Sequence, residues 1–81
     1  MKELLEFIIE NLLGNKDFSV EESIDEKGFN NLIVYLNSKD IGLIIGKNGA
    51  TIKAIRSLLR VRAILGKYAF SLNLQEKGLK N

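Results

Sequence analysis

The chain has 81 residues and contains no Cys, His, Pro or Trp. Disulfides, zinc–thiolate centres and thiol or imidazole catalysis are thereby excluded, and catalysis in general is a poor first expectation. With 46% hydrophobic and 27% charged residues the composition is globular, and the length allows one domain, expected over 1–81. The net charge of +2 conceals a division along the chain. Residues 1–26 hold two Lys against eight Asp/Glu, a net of −6, whereas residues 27–81 hold ten Lys/Arg against two acids, a net of +8. A basic C-terminal two-thirds points to a polyanionic partner such as nucleic acid.

In chain order, residues 2–13 place Leu4, Leu5, Ile8, Ile9, Leu12 and Leu13 on one helical stripe. Glu3, Glu6 and Glu10 lie off it, and Gly14-Asn15 supplies a stop. These acids interrupt any signal-peptide core, and the longest uncharged run, Gly28–Ser38, is too short to span a bilayer. Membrane insertion is therefore not expected, and the cytoplasm is the expected location. Phe18, Val20 and Ile24 share a parity broken by Glu22, which predicts a short, exposed strand before the turn Asp25-Glu26-Lys27-Gly28. A stronger strand follows over 31–37. Leu32, Val34 and Leu36 face one side, Ile33 and Tyr35 the other, so it is central or meets a partner.

Ser38 or Asp40 is the expected cap of a brief second helix, interrupted by Gly46 and Gly49. From Ala50 a longer helix is predicted to run to about Leu65, with Gly66 as its stop. Tyr68, Phe70, Leu72 and Leu74 then alternate with Ala69, Ser71, Asn73 and Gln75 as a final strand. Order is expected over about 2–75, and a frayed tail over 76–81. The order α-β-β-α-α-β predicts an α+β sandwich, with helices on one face of a three-stranded sheet.

The chemistry concentrates in Gly46-Lys47-Asn48-Gly49, between a short apolar helix and a long basic one. Two glycines let a sugar-phosphate backbone approach without Cβ obstruction, and the free N–H groups opening the next helix attract phosphate. Lys47 adds a mobile charge and Asn48 a neutral hydrogen-bonding group. Lys53, Arg56 and Arg60 continue as a basic stripe beside the apolar Ile52, Ile55, Leu59 and Ala63. Arg62 projects toward the apolar side, where it snorkels or meets a partner chain. A basic rim beside an apolar floor suits single-stranded nucleic acid. The P-loop alternative fails, because three residues rather than four separate Gly42 from Gly46 and Asn48 follows Lys47. The dinucleotide fingerprint fails on its first glycine spacing. A lone GxxG is otherwise an ordinary interhelical turn; the surrounding pattern argues against that here.

Ile44-Ile45-Gly46-Lys47-Asn48-Gly49-Ala50-Thr51-Ile52 resembles the V-I-G-x-x-G-x-x-I signature of the KH domain. The element order is similar to the bacterial, type II arrangement. The length, the start at Asp40, Gly42, Ile45, Gly46 and Gly49, and the continuation Ala54-Ile55-Arg56 resemble the KhpA family of small bacterial RNA-binding proteins. That resemblance implies a non-enzymatic, cofactor-free protein whose GxxG loop clamps about four single-stranded RNA nucleotides. Matched onto this sequence, Gly46, Lys47, Asn48 and Gly49 hold phosphate, Ile45 and Ile52 form groove wall, and Lys53 and Arg56 form the basic rim. It further implies post-transcriptional regulation or RNA chaperoning, and a homodimer or a heterodimer with a Jag-type KH protein. Leu43 and Ala50 stand where family members often carry basic residues, and no Phe or Tyr sits on the loop helices, so stacking there is expected to be weak. The rival expectation is a KH-fold protein-interaction module with incidental RNA contact, suited by the two-sided strand and Arg62. A KH domain excised from a ribosome-associated GTPase or a ribosomal protein is a further alternative, although Met1 favours a complete chain.

Overall fold

Residues 1–78 are described by a computed structural model. The elements are α1 (Lys2–Leu13), β1 (Phe18–Ile24), β2 (Asn30–Leu36), α2 (Ser38–Ile45), a 3₁₀ turn (Lys47–Gly49), α3 (Ala50–Gly66) and β3 (Phe70–Glu76). The sheet order is β1-β2-β3, antiparallel between β1 and β2 and parallel between β2 and β3. The parallel pair follows from α2 and α3 lying between β2 and β3, a crossover long enough to reverse the chain twice. The result is the α+β, type II KH-like fold expected from the element order.

Register explains which residues reach the core. On the helix-facing side, Val20 lies opposite Val34, and Leu32 beside Leu72. Leu5, Ile9, Leu32, Val34, Leu36, Ile44 and Leu59 are completely buried. β2 is central, and its buried residues alternate strictly with half-buried ones: Leu32, Val34 and Leu36 are fully buried, while Ile33 and Tyr35 on the other face stay partly exposed. On β1 the parity break has a local answer: Glu22 accepts from Nδ2 of the buried Asn30 at 3.4 Å. On the sheet's other face, Oη of Tyr35 donates to Glu21 at 3.3 Å. Partial burial first, then the Glu21 charge, raises the Tyr35 phenol above its ordinary value. The turn before β2 is tied by the Asp25 carboxylate, which accepts from the backbone N–H of Lys27 and of Phe29, each at 2.9 Å.

Four boundary expectations are corrected. The cap of α2 is Asn37 rather than Ser38 or Asp40; it is extended, and its side chain donates to Asp17 instead of to the helix. α3 stops one residue later than expected. Lys67 takes the left-handed conformation (φ 59°), its N–H bonding Ile64 O and that of Tyr68 bonding Ala63 O, the paired bonds of a Schellman closure. β3 therefore begins at Phe70 rather than Tyr68, because Tyr68 is still engaged with the helix. At the other end, the frayed tail does not include Glu76 and Lys77. Glu76 closes β3, the N–H of Lys77 bonds Leu36 O at 2.8 Å, and its ammonium pairs with Asp17. Residues 79–81 lie outside the described residues. Among the described residues, no helix is long and apolar enough to cross a membrane.

Candidate nucleic-acid interface

The loop is built by backbone geometry that few residues adopt. Gly46 ends α2 with φ 78° and ψ 172°, Asn48 sits at φ 56° and Gly49 at φ 76°. Gly46 occupies a region that is essentially closed to side chains, and Asn is among the few non-glycine residues that tolerate the left-handed conformation. The N–H of Gly46 bonds Gly42 O and that of Gly49 bonds Gly46 O, so a tight, sharply reversed corner joins two helices. Lys47 and Asn48 are exposed at its tip. Ala50 opens α3 directly behind, with no side chain capping the new helix. Its first-turn N–H groups and the dipole of a 17-residue helix together favour an anion.

From that corner the basic stripe runs down α3. Lys53, Arg56 and Arg60 are all exposed, and at 100° per residue they share one side of the helix. Arg56 reaches across to β3, where its Nη2 donates to Leu72 O at 3.2 Å. Ile45, the last residue of α2 before the loop, is 38% exposed. Ile52, expected beside it, is 9% exposed and packs in the core, so it has little surface for a ligand. Leu43, also on α2, is more than half exposed.

The structure also gathers residues that the motif did not indicate. A cavity of about 470 Å³ lies between the second half of α3 and the start of β3, its lining including Arg56, Arg60, Ile64, Tyr68, Phe70 and Leu72. The weak stacking expected of the loop helices concerned those helices alone; the aromatic rings arrive instead from Tyr68, just after α3, and from Phe70, the first residue of β3. In the sequence, the signal was a basic stripe ending at Arg60, eight residues before Tyr68.

Opposite the stripe, α3 presents a different face. Ala54, Leu58, Val61 and Leu65 fall within about 60° of the helix circumference, and the last three are more than half exposed. Ala54 and Leu58 of this face, with the exposed Phe7 and Leu12 of α1, border an apolar hollow of about 300 Å³ between the two helices. Leu12 was expected inside, as part of the α1 stripe; instead it lies at this surface. Arg62 is exposed beside it. Among the described residues, no group of three or more His, Cys, Asp or Glu is arranged to hold a metal.

The comparisons with known proteins agree with this architecture. The family model for the KH domain of KhpA and KhpB matches residues 2–74. The chain is 40% identical over 80 residues to RNA-binding protein KhpA of Chlamydia trachomatis, covering 95% of this chain and 99% of the relative. It is 39% identical over 59 residues to RNA-binding protein KhpA of Thermotoga maritima, covering 73% of this chain and 79% of the relative. With the protein of that name from Clostridium perfringens, identity is 37% over 65 residues, 79% of this chain and 85% of the relative. No solved structure matches at the same stringency. A glycine-bounded corner, a basic helix behind it, a mixed three-stranded sheet and a match spanning nearly every residue lead to one conclusion: the chain belongs to the KhpA/KhpB family of KH-domain proteins.

Proposed function

We propose that this protein binds single-stranded RNA without catalysing a reaction, as a KhpA-like regulator or chaperone of RNA in the cytoplasm. The observation that carries this is the continuity of the corner at Gly46–Gly49 with the exposed cations Lys53, Arg56 and Arg60 on the helix it opens. In this reading the backbone N–H groups and Lys47 hold phosphate, and Asn48 donates to the same strand. Ile45 borders the bases, and Lys53 and Arg56 follow the backbone. The relatives carrying the name RNA-binding protein support the same ligand.

The apolar face of α3 and α1 supports a second element of the proposal, self-association through that face. Charged residues are depleted from interface cores, and an exposed row of large apolar side chains is costly to leave in water. A Jag-type KH partner would occupy the same face. This surface is also what favours the rival reading, a protein-interaction module with incidental RNA contact. Fluorescence anisotropy with a labelled eight-nucleotide single-stranded RNA and with its duplex form separates the two. The RNA reading expects saturable binding of the single strand that weakens with salt; binding absent at low salt would leave the interaction module.

A further inference from the structure

We propose that Asn48 is a site of spontaneous deamidation, an irreversible off-switch for the RNA grip that the closed loop and bound RNA hold back. This inference rests on the RNA reading above and extends it from how the loop grips to how the grip is lost.

The sequence singles out one peptide bond. Eight Asn occur in the chain, and Asn48 alone is followed by Gly. With no Cβ on Gly49, nothing shields its backbone nitrogen, and the chain turns most freely there. The side chain of Asn48 is equally open. Asn11, Asn15, Asn30 and Asn37 each donate to an oxygen of the protein, and Asn31 accepts from Ser71. Asn48 is exposed at the loop tip, and its amide makes no hydrogen bond among the described residues. Asn73 shares that freedom, but it lies within β3 and is followed by Leu74.

The reaction needs only water. The Gly49 nitrogen gives its proton to solvent and attacks Cγ of Asn48. A new C–N bond closes a five-membered succinimide, the Cγ–Nδ2 bond breaks, and ammonia leaves with a proton from solvent. Water then opens the ring at either carbonyl, leaving aspartate or isoaspartate at position 48. The first step is favoured by place, because Gly49 caps the start of α3. There the positive end of the helix dipole stabilises both the nitrogen anion and the oxyanion that forms at Cγ.

The fold restrains the same step. Asn48 is held at φ 56° and ψ 26°, which turns the Gly49 nitrogen away from the Asn48 side chain. That N–H also bonds Gly46 O at 3.1 Å. Ring closure therefore requires the corner to open, a local event at a single exposed turn. RNA gripped at the corner holds it shut and slows the reaction. Both products damage the grip. Aspartate tolerates the left-handed backbone, but it sets a negative charge where the amide donated to the strand. Isoaspartate adds a methylene to the main chain, so the bond from Gly49 to Gly46 loses its register.

The test ages wild type at neutral pH in three forms: folded and free, saturated with oligo(U), and unfolded in urea. Each Asn is followed by peptide mass, and isoaspartate by enzymatic methylation. Asn48 is expected to convert at least about tenfold faster than any other Asn. Urea is expected to speed that conversion, and oligo(U) to slow it at least about threefold. Converted protein, separated by its added negative charge, is expected to bind oligo(U) at least about fivefold more weakly, as Asn48→Asp does. Conversion of Asn48 no faster than that of Asn73 would overturn the site. Equal rates with and without urea, or with and without oligo(U), would overturn the restraint by the closed corner. Full affinity after conversion would overturn the switch while the RNA reading stands. Fresh wild type that binds no oligo(U) would remove the RNA reading and the switch together, whereas the chemistry at Asn48 is read independently by mass.

Discussion

Gly46 and Thr51 approach so closely that a Cβ on the glycine would lie 2.2 Å from Thr51 Oγ1 and 2.8 Å from its backbone nitrogen. At Gly49, the other glycine of the loop, an added Cβ meets nothing within 4 Å. The two positions look equivalent in the motif and are physically different. Gly46 is needed for both its space and its backbone angles, Gly49 for its angles only.

That difference predicts unequal costs. Gly49→Ala is expected to lose about 1–2 kcal/mol, the strain of a left-handed alanine. Gly46→Ala is expected to lose about 2–4 kcal/mol, since backbone strain and the collision with Thr51 add. Thermal melts check the order: the Gly46 variant should melt at least about 5 °C below the Gly49 variant. Equal melting temperatures would show that the corner relaxes more freely than its contacts imply.

Asp17 joins three separate segments: it lies just before β1, pairs with Lys77 after β3 and accepts from Asn37 at the start of α2. The bond from Lys77 first, and that from Asn37 second, hold its carboxyl below the ordinary 3.8. A carboxylate with a depressed folded value stabilises the fold above its unfolded value, and that stabilisation is lost as pH falls through the folded value. Asp17→Asn is therefore expected to melt below wild type at pH 7, with the gap closing as pH drops under 3.8. A gap constant from pH 7 down to pH 2 would show that the charge of Asp17 is not what ties these segments.

Leu58 tests self-association, because it is 55% exposed and central to the apolar face. Leu58→Glu should change stability by no more than about 0.5 kcal/mol, as is usual for exposed sites. Sedimentation is expected to give about twice 9.1 kDa for wild type and 9.1 kDa for the variant. A monomeric wild type, or a variant that stays dimeric, would free this face from that role.

The order of elements was readable because each carries its own periodicity: 3.6 in residues 2–13, 2.0 in Leu32, Val34 and Leu36. The loop was readable because Gly46 and Gly49 break two helical patterns at once. What escaped the sequence depends on contacts between distant segments. Gly66 looked like a helix stop, yet Lys67 takes the left-handed position and Gly66 instead makes room for the Tyr68 ring. Asn37 looked like part of a strand, yet it caps α2 and binds Asp17, twenty residues earlier. Ile52 shares the motif's spacing with Ile45, and only packing shows that one is core and the other surface. The cavity at Tyr68 had no local pattern, since it exists only where the open edge of β3 meets α3.

The central claim is that the corner at Lys47-Asn48 grips an RNA backbone, and its most direct test is salt-dependent binding by wild type and by Lys47→Asp/Asn48→Asp. Asp is, like Asn, among the residues that tolerate the left-handed angles at position 48, so the double variant should keep its fold and its melting temperature. Contacts to about four phosphates predict a log–log salt slope near −2.8 for wild type, about a fiftyfold loss of affinity between 50 and 200 mM salt. The variant, losing at least one charge-assisted contact, should bind at least about tenfold more weakly at 50 mM. A folded variant that binds as tightly as wild type, with the same slope, would contradict the account.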